Sequence, residues 1–173
     1  MSLQLIRGVY IADTARVLGR LTLGHNVNIW YGVIVRGDLA PITIGPNTNV
    51  QDAAVIHCDH DVPMTIGANV SVGHGAVVHG ESIGDGTLIG MGAKLLGHTK
   101  VGCRCLIGAG SVLPPGMEVP DEMLVLGVPG RIVRPISDAE REYLQMIPAS
   151  YVALAKRHVD TPRDPAVLPW NDG

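Results

Sequence analysis

An aliphatic residue returns at every sixth position along most of this chain, and few folds can satisfy that spacing. The series reads Ile11, Val17, Leu23, Ile29 and Val35, then Ile44, Val50 and Ile56, then Ile66, Val72 and Val78, and finally Ile83, Ile89, Leu95, Val101, Ile107 and Leu113. Four positions after most of these stands a second small or β-branched residue, as in Val27, Thr48, Ala54, Val70, Ala76, Thr87, Ala93, Thr99, Cys105 and Ser111. A hexad matches neither the 3.6-residue period of a helix nor the alternation of a hairpin strand, and the architecture with that period is a parallel β-helix. Three hexads make one flat triangular coil. Gly24, Gly45, Gly67, Gly73, Gly84, Gly90, Gly102 and Gly108 directly follow repeat residues, and each is expected at a corner that needs a permissive backbone. A disordered glycine-rich chain would not hold this register from residue 11 to residue 113.

Composition bears on what such a prism can be built from. With 3% aromatic residues, no Phe and 22 glycines, the core must rest on small and β-branched side chains in short stacked strands. The 173 residues allow one domain with an appended helix. A net charge of -3 gives no basic footprint for nucleic acid. Cys58, Cys103 and Cys105 form no even framework and read as reduced thiols of a cytoplasmic protein. No export signal and no apolar run of about 18 residues is found, so no membrane insertion is expected.

The β-helix is expected over residues 1–120, ended by Pro114-Pro115-Gly116, because a proline pair cannot donate to a ladder. Residues 121–136 read as an extended segment returning along the prism. Ser137-Asp138-Ala139-Glu140 is a capping box opening a C-terminal α-helix over 137–160. Leu144, Ile147, Tyr151, Leu154 and His158 form its apolar stripe, and Pro148 is expected to kink or divide it. The proline-containing stretch 161–173 reads as an irregular tail.

The register also places the histidines. Val35, Ile56 and Val78 fall on one face in three successive coils, so Arg36, His57 and His79 should form a vertical column. Gln51 and His74 follow Val50 and Val72 and belong to another edge. One chain thus offers two ligands well placed and a third displaced, and a threefold packing of prisms would bring His74 of one subunit to His57 and His79 of the next. Three neutral imidazoles with an open fourth position suit a catalytic zinc or related divalent ion, which makes a hydroxide nucleophile at neutral pH. The remaining histidines, His25, His60, His98 and His158, read as surface or satisfied polar groups.

Val35-Arg36-Gly37-Asp38, Asn49-Val50-Gln51-Asp52, Ile56-His57, the stretch Val-Gly-His-Gly-Ala-Val-Val-His-Gly over 72–80 and Leu-Gly-Val-Pro-Gly-Arg-Ile-Val-Arg over 126–134 together resemble the gamma-class carbonic anhydrase family across nearly the whole chain. The resemblance implies an all-β, single-stranded, left-handed β-helix, a homotrimer with three interfacial metal sites, and Zn2+ or Fe2+ as the metal. It implies His57, His74 and His79 as ligands, Gln51 as the group orienting the metal-bound hydroxide, and Arg36 with Asp38 as an ion pair between subunits. Tyr151 is similar to a tyrosine that approaches the site in relatives, and Asp52 would join the polar network. On the residues alone, Arg36 and Asp38 are equally read as structural, Gln51 as satisfying a corner backbone group, and Tyr151 as part of the helix stripe.

Only sixteen residues, 58–73, separate His57 from His74, which leaves no room for the long acidic loop that carries the proton-shuttling glutamate in some members. Asp59, His60 and Asp61 are the nearby titratable substitutes. The expected activity is reversible hydration of carbon dioxide to bicarbonate. Alternatives are metal-dependent hydrolysis of an acyl-CoA thioester, hexapeptide acyl transfer, and an inactive assembly subunit.

Overall fold

The computed structural model describes residues 2–161. The hexads wind into a parallel β-helix whose strands, many of them two residues long, stack in register from coil to coil. One face is a nine-stranded sheet. Its parallel rungs are Val9–Ala12, Asn28–Ile29, Asn49–Val50, Ser71–Val72, Leu88–Ile89, Leu106–Ile107 and Met123–Leu126. Antiparallel strands Leu3–Ile6 and Arg131–Pro135 close its two ends. The other faces belong to a ten-stranded sheet. It is joined by the long strand Ile34–Ile44, which pairs with Val55–His57 through its first part and with Met64–Ile66 through its last.

Repeat residues pair with repeat residues: Ile29 with Val50, Val50 with Val72, Val72 with Ile89 and Ile89 with Ile107. All five are fully buried, and each such side chain stabilises the fold by about 1.5–3 kcal/mol. Some buried polar residues serve corners. Thr48 Oγ1 donates to the Gly67 carbonyl at 2.7 Å and accepts from the Val70 amide at 3.1 Å, and Thr87 does the same between Gly102 and Cys105.

The corner glycines are needed for a different reason from the one expected. Gly45 has an ordinary φ, but a Cβ there would stand 2.6 Å from the Gly67 carbonyl carbon and the Ala68 nitrogen of the next coil. Close approach of stacked backbones, not a left-handed conformation, excludes a side chain. The left-handed positions lie two residues further on, at Asn26, Asn47 and Asn69, with φ of 60°, 58° and 54°. Asparagine tolerates that region, and here each side chain donates to the next, at 3.1 and 3.2 Å.

The repeat also runs further than the proline pair suggested. Glu118–Val119 pairs in parallel with Lys100–Val101, and Met123–Leu126 with Leu106–Ile107. Pro114-Pro115-Gly116 is therefore a corner, its prolines placed where no ladder donor is required: the Pro114 carbonyl accepts from Met117, and the Gly116 amide donates to Gly97. Only Arg131–Pro135 is a returning strand.

The C-terminal helix spans Asp138–Asp160, with both bonds of the capping box at Ser137 and Glu140 present. Pro148 is buried inside it without dividing it. Leu144, Ile147 and Ala155 are its buried apolar contacts, whereas Leu154, expected in the stripe, is 38% exposed. The helix pivots on Tyr151 with four-residue steps to Ile147 and Ala155, so the small residue is the one that meets the prism. The tail reading falls outside the described residues beyond Thr161. Among the described residues no helix is long and apolar enough to cross a membrane.

Glu140 also receives both terminal nitrogens of Arg134, at 2.8 and 2.9 Å. That guanidinium, with the Ser137 backbone amide, holds the Glu140 carboxyl down at about 2. A carboxyl lowered in the fold contributes stability that is complete above its unfolded value near 4.5 and is lost as pH falls toward 2. Glu140→Gln is expected to cost about 1 kcal/mol at pH 7, the scale of a lost helix cap. That difference from the wild type should vanish by about pH 2 when urea midpoints are compared.

Candidate metal centre

The pairing of Val35 with Ile56 and of Ile56 with Val78 puts Arg36, His57 and His79 in one column at the end of a face. His57 Nδ1 lies 3.3 Å from His79 Nε2 and 3.5 Å from Arg36 Nη2. On its other side, His57 Nε2 donates to Asp38 Oδ1 at 3.1 Å. This network assigns the proton to Nε2 and leaves the Nδ1 lone pair facing His79. His79 has Asp59 on its own Nδ1 side at 3.7 Å.

Within the single chain, Arg36 pairs with Asp38. They stand two apart on an extended strand, so their side chains leave the same face. Desolvation pushes the Asp38 carboxyl up, but hydrogen bonds from Arg36, its own backbone and His57 outweigh it and bring it below the usual range.

His74 stands at a different corner, as its register requires. Its Nδ1 donates to Asp52 Oδ2 at 2.9 Å, and its Nε2 accepts from the Tyr151 hydroxyl at 3.3 Å. Burial first, then the charge of Asp52, raises the Tyr151 phenol above its ordinary value, so it stays a neutral donor. Gln51 is buried, and its Nε2 donates to Asn49 Oδ1 at 2.9 Å rather than to a corner backbone group. Asn49 in turn donates to Ser71 Oγ at 2.7 Å. With its amide nitrogen committed, Gln51 keeps its oxygen as the available acceptor. Gln51, His74, Leu106, Met146 and Tyr151 share a groove of about 700 Å³ between prism and helix.

Within one chain His74 does not join the His57 and His79 pair, and among the described residues no three metal-binding side chains converge. His60, proposed from sequence as a nearby titratable group, is 76% exposed and turns to Asp61 at 2.8 Å; His98 faces Glu81. Sequence reasoning gives Asp52 only a loose role and misses Asn49 altogether. A signal for Asp52 exists: once Val50 pairs with Val72, Asp52 must neighbour His74.

Residues 82–115 match the family model for the bacterial transferase hexapeptide (six repeats). The chain is 41% identical over 150 residues to a Methanocaldococcus jannaschii protein named "Probable carbonic anhydrase", covering 87% of this chain and 94% of that one. It is 34% identical over 158 residues to Gamma carbonic anhydrase 2, mitochondrial, of Arabidopsis thaliana, covering 88% of this chain and 57% of that longer protein. The chain belongs to the gamma-class carbonic anhydrase family. Its fold agrees with a solved hexapeptide transferase family protein from Anaplasma phagocytophilum, with a TM-score of 0.83 and 32% identity over 87% of this chain and 89% of that one.

The metal implied by membership of the gamma-class family can be tested against these side chains, and they fit. Two imidazole nitrogens bound tetrahedrally at 2.0–2.1 Å are separated by about 3.3 Å, which is the spacing of His57 Nδ1 and His79 Nε2. His57 and His74 each donate from the nitrogen facing away from the would-be ligand atom to a carboxylate, Asp38 at 3.1 Å and Asp52 at 2.9 Å, whereas Asp59 stands 3.7 Å from His79 Nδ1, beyond hydrogen-bond reach. Such partners fix the tautomer and raise the basicity of the coordinating nitrogen.

Proposed function

We propose that this protein is a metal-dependent carbonic anhydrase, hydrating carbon dioxide to bicarbonate at the three interfaces of a homotrimer. His57 and His79 of one subunit and His74 of the next would hold a zinc or iron(II) ion. The single observation that carries this reading is the division of one ligand set between two corners, with His57 and His74 already oriented by hydrogen-bonded carboxylates. Imidazole suits both metals. The ion would supply a water nucleophile deprotonated near neutral pH.

The chain's own residues do the rest. Gln51, held by Asn49, would offer its oxygen as an acceptor to orient the nucleophile that the ion supplies. The Arg36 guanidinium, anchored by Asp38, offers a fork that matches the planar bicarbonate product. Tyr151 donates to the His74 nitrogen that the ion would take, so its hydroxyl would turn aside when the ion binds. The balance is one carbon dioxide and one water to one bicarbonate and one proton. Protein purified anaerobically should hydrate carbon dioxide in proportion to its metal content, and His79→Ala should lose both. A metal-replete protein whose rate matches that of the variant would reject the assignment. Asp52→Asn should weaken metal affinity by about 10–100-fold with the fold intact, as read by titration against a competing chelator.

One observation favours a second reading. The groove beside His74 holds about 700 Å³ and is lined by Leu88, Leu106, Leu124, Met91 and Met146, far more apolar space than carbon dioxide needs. The same site could cleave a thioester, RCO–SR′ plus water giving RCOO⁻, R′SH and a proton. A hydrolysis rate that rises with acyl length would support it. Acyl transfer fits less well, since it calls for one base rather than three imidazoles.

A further inference from the structure

The left-handed corner that carries the asparagines continues through six coils. Asn26, Asn47, Asn69, Gly86, Arg104 and Glu122 each stand three residues before a repeat residue of one face, and their φ values run from 52° to 68°. Each donates its backbone amide to the coil beneath, at 2.8–3.0 Å. Side chains stack along this corner at about 4.8 Å: Asn26 donates to Asn47 and Asn47 to Asn69. Gly86 then leaves one rung without a side chain. A Cβ there would meet nothing closer than Arg104 Cγ, at 3.4 Å, and its φ of 68° lies close to those that asparagine adopts in the three coils beneath. Packing does not force the gap.

The gap opens into a pocket of about 360 Å³ between prism and helix, walled by Asn69, Asp85, Gly86, Arg104, Arg141 and Gln145. Hydrogen-bond donors dominate that wall. Asn69 Oδ1 is taken by Asn47, which leaves Asn69 Nδ2 on the side of the gap. Above it, Glu122 holds two guanidiniums together, accepting from Arg104 Nε at 2.8 Å and from Arg141 Nη2 at 3.1 Å. The Arg104 hydrogen bond, then the Arg141 charge, keeps the Glu122 carboxyl below its usual range, so two cations share one fixed anion. Arg141 Nη1 has only the fully exposed Asp138, at 3.5 Å. The terminal nitrogens of Arg104, Asn69 Nδ2 and the Gln145 amide have no partner among the described residues. Asp85, the other carboxylate of the wall, is turned to the coil beneath, where its Oδ1 accepts from the Ala68 amide at 2.8 Å.

We propose that this pocket is a second ligand site, which takes a small oxyanion into the open rung with its oxygens on Arg104, Arg141 and Asn69. The planar fork of a guanidinium matches a carboxylate or a phosphate, and two forks already held by Glu122 lose less freedom on binding than two loose arginines would. The wall reads the chemistry that an organic carboxylate and inorganic phosphate share. Arg104 belongs to the prism and Arg141 to the helix, so an occupant braces the helix that brings Tyr151 to His74. The corner holds none of His57, His74 and His79, and the proposal stands apart from the hydration reading.

The test is calorimetric titration of the full chain with phosphate and, separately, with acetate, at an ionic strength held constant by potassium chloride. One saturable site per chain is expected; phosphate alone would assign a dianion and acetate alone a carboxylate. His79→Ala should bind equally well, which separates this pocket from an anion held by the metal. Arg104→Gln should weaken binding about 10–100-fold, the value of a charge-assisted hydrogen bond. Gly86→Asn, which continues the ladder through the gap, should abolish binding and leave the unfolding temperature unchanged. No saturable binding of either anion, or binding that survives Gly86→Asn or is lost in His79→Ala, would overturn the proposal.

Discussion

His74→Ala should leave the protein without metal while the prism stays folded. The side chain is 45% exposed at a corner and its loss empties no core space, so thermal unfolding should shift little. A three-imidazole site reduced to two loses its tetrahedral closure, and metal content should fall from about one ion per chain to near zero by elemental analysis. His79→Ala should do the same from the other side of the interface. Mixing the two variants separates the shared site from a site within one chain. If each site takes His57 and His79 from one subunit and His74 from the next, any mixed trimer regains one intact site. Random 1:1 co-refolding then gives three mixed trimers in four, each with one site in three, or about a quarter of the wild-type metal. Zero recovery would mean that the ligands are not divided between subunits.

Gly19→Ala should be the most damaging single methyl in the chain. Gly19 has φ of 95° and faces Gly37 across the paired strands Arg16–Leu23 and Ile34–Ile44. A Cβ would stand 2.4 Å from the Gly37 carbonyl carbon, 2.5 Å from its oxygen and 2.8 Å from the Asp38 nitrogen. All three are backbone atoms and cannot turn away. The left-handed conformation and the forced separation of the strands together cost about 2–5 kcal/mol. The displaced segment is Arg36 to Asp38, so metal affinity should fall with stability. Gly37→Ala should be milder, because its φ is ordinary and its nearest contacts are the end of the Leu21 side chain at 2.8 Å and one backbone atom, the Arg20 carbonyl oxygen, at 2.9 Å. Urea denaturation of both variants checks the order; a Gly19→Ala protein within about 1 kcal/mol of wild type would show that the two strands can part freely.

Much of this architecture is legible in the residues alone. Stacking identical coils converts sequence separation into height, so the hexad period aligns Arg36, His57 and His79 and sets His74 apart. The glycines are located by the period but not explained by it, because a sequence shows which residue follows the repeat position and not how close the next backbone lies. Pro114 and Pro115 mislead for the same reason: whether a missing amide matters depends on whether the ladder needs it there. In the helix, the 3,4 spacing gives Leu144, Ile147 and Tyr151 correctly and fails at Leu154, since the choice between adjacent positions depends on where the helix axis lies over the sheet.

The sequence by itself determined the β-helix, the register of its coils, the capping box of the helix and the membership of three histidines in two corners, because all of these follow from local periods. Only the tertiary structure decided which atoms face one another. It turned His57 Nδ1 toward His79, gave His57 and His74 their carboxylates, closed Arg36 on Asp38 within one chain and brought Tyr151 of the helix to His74 and His158 to Tyr31. Side-chain direction and contacts of long sequence separation come from packing the helix on the sheet, and no local period encodes them.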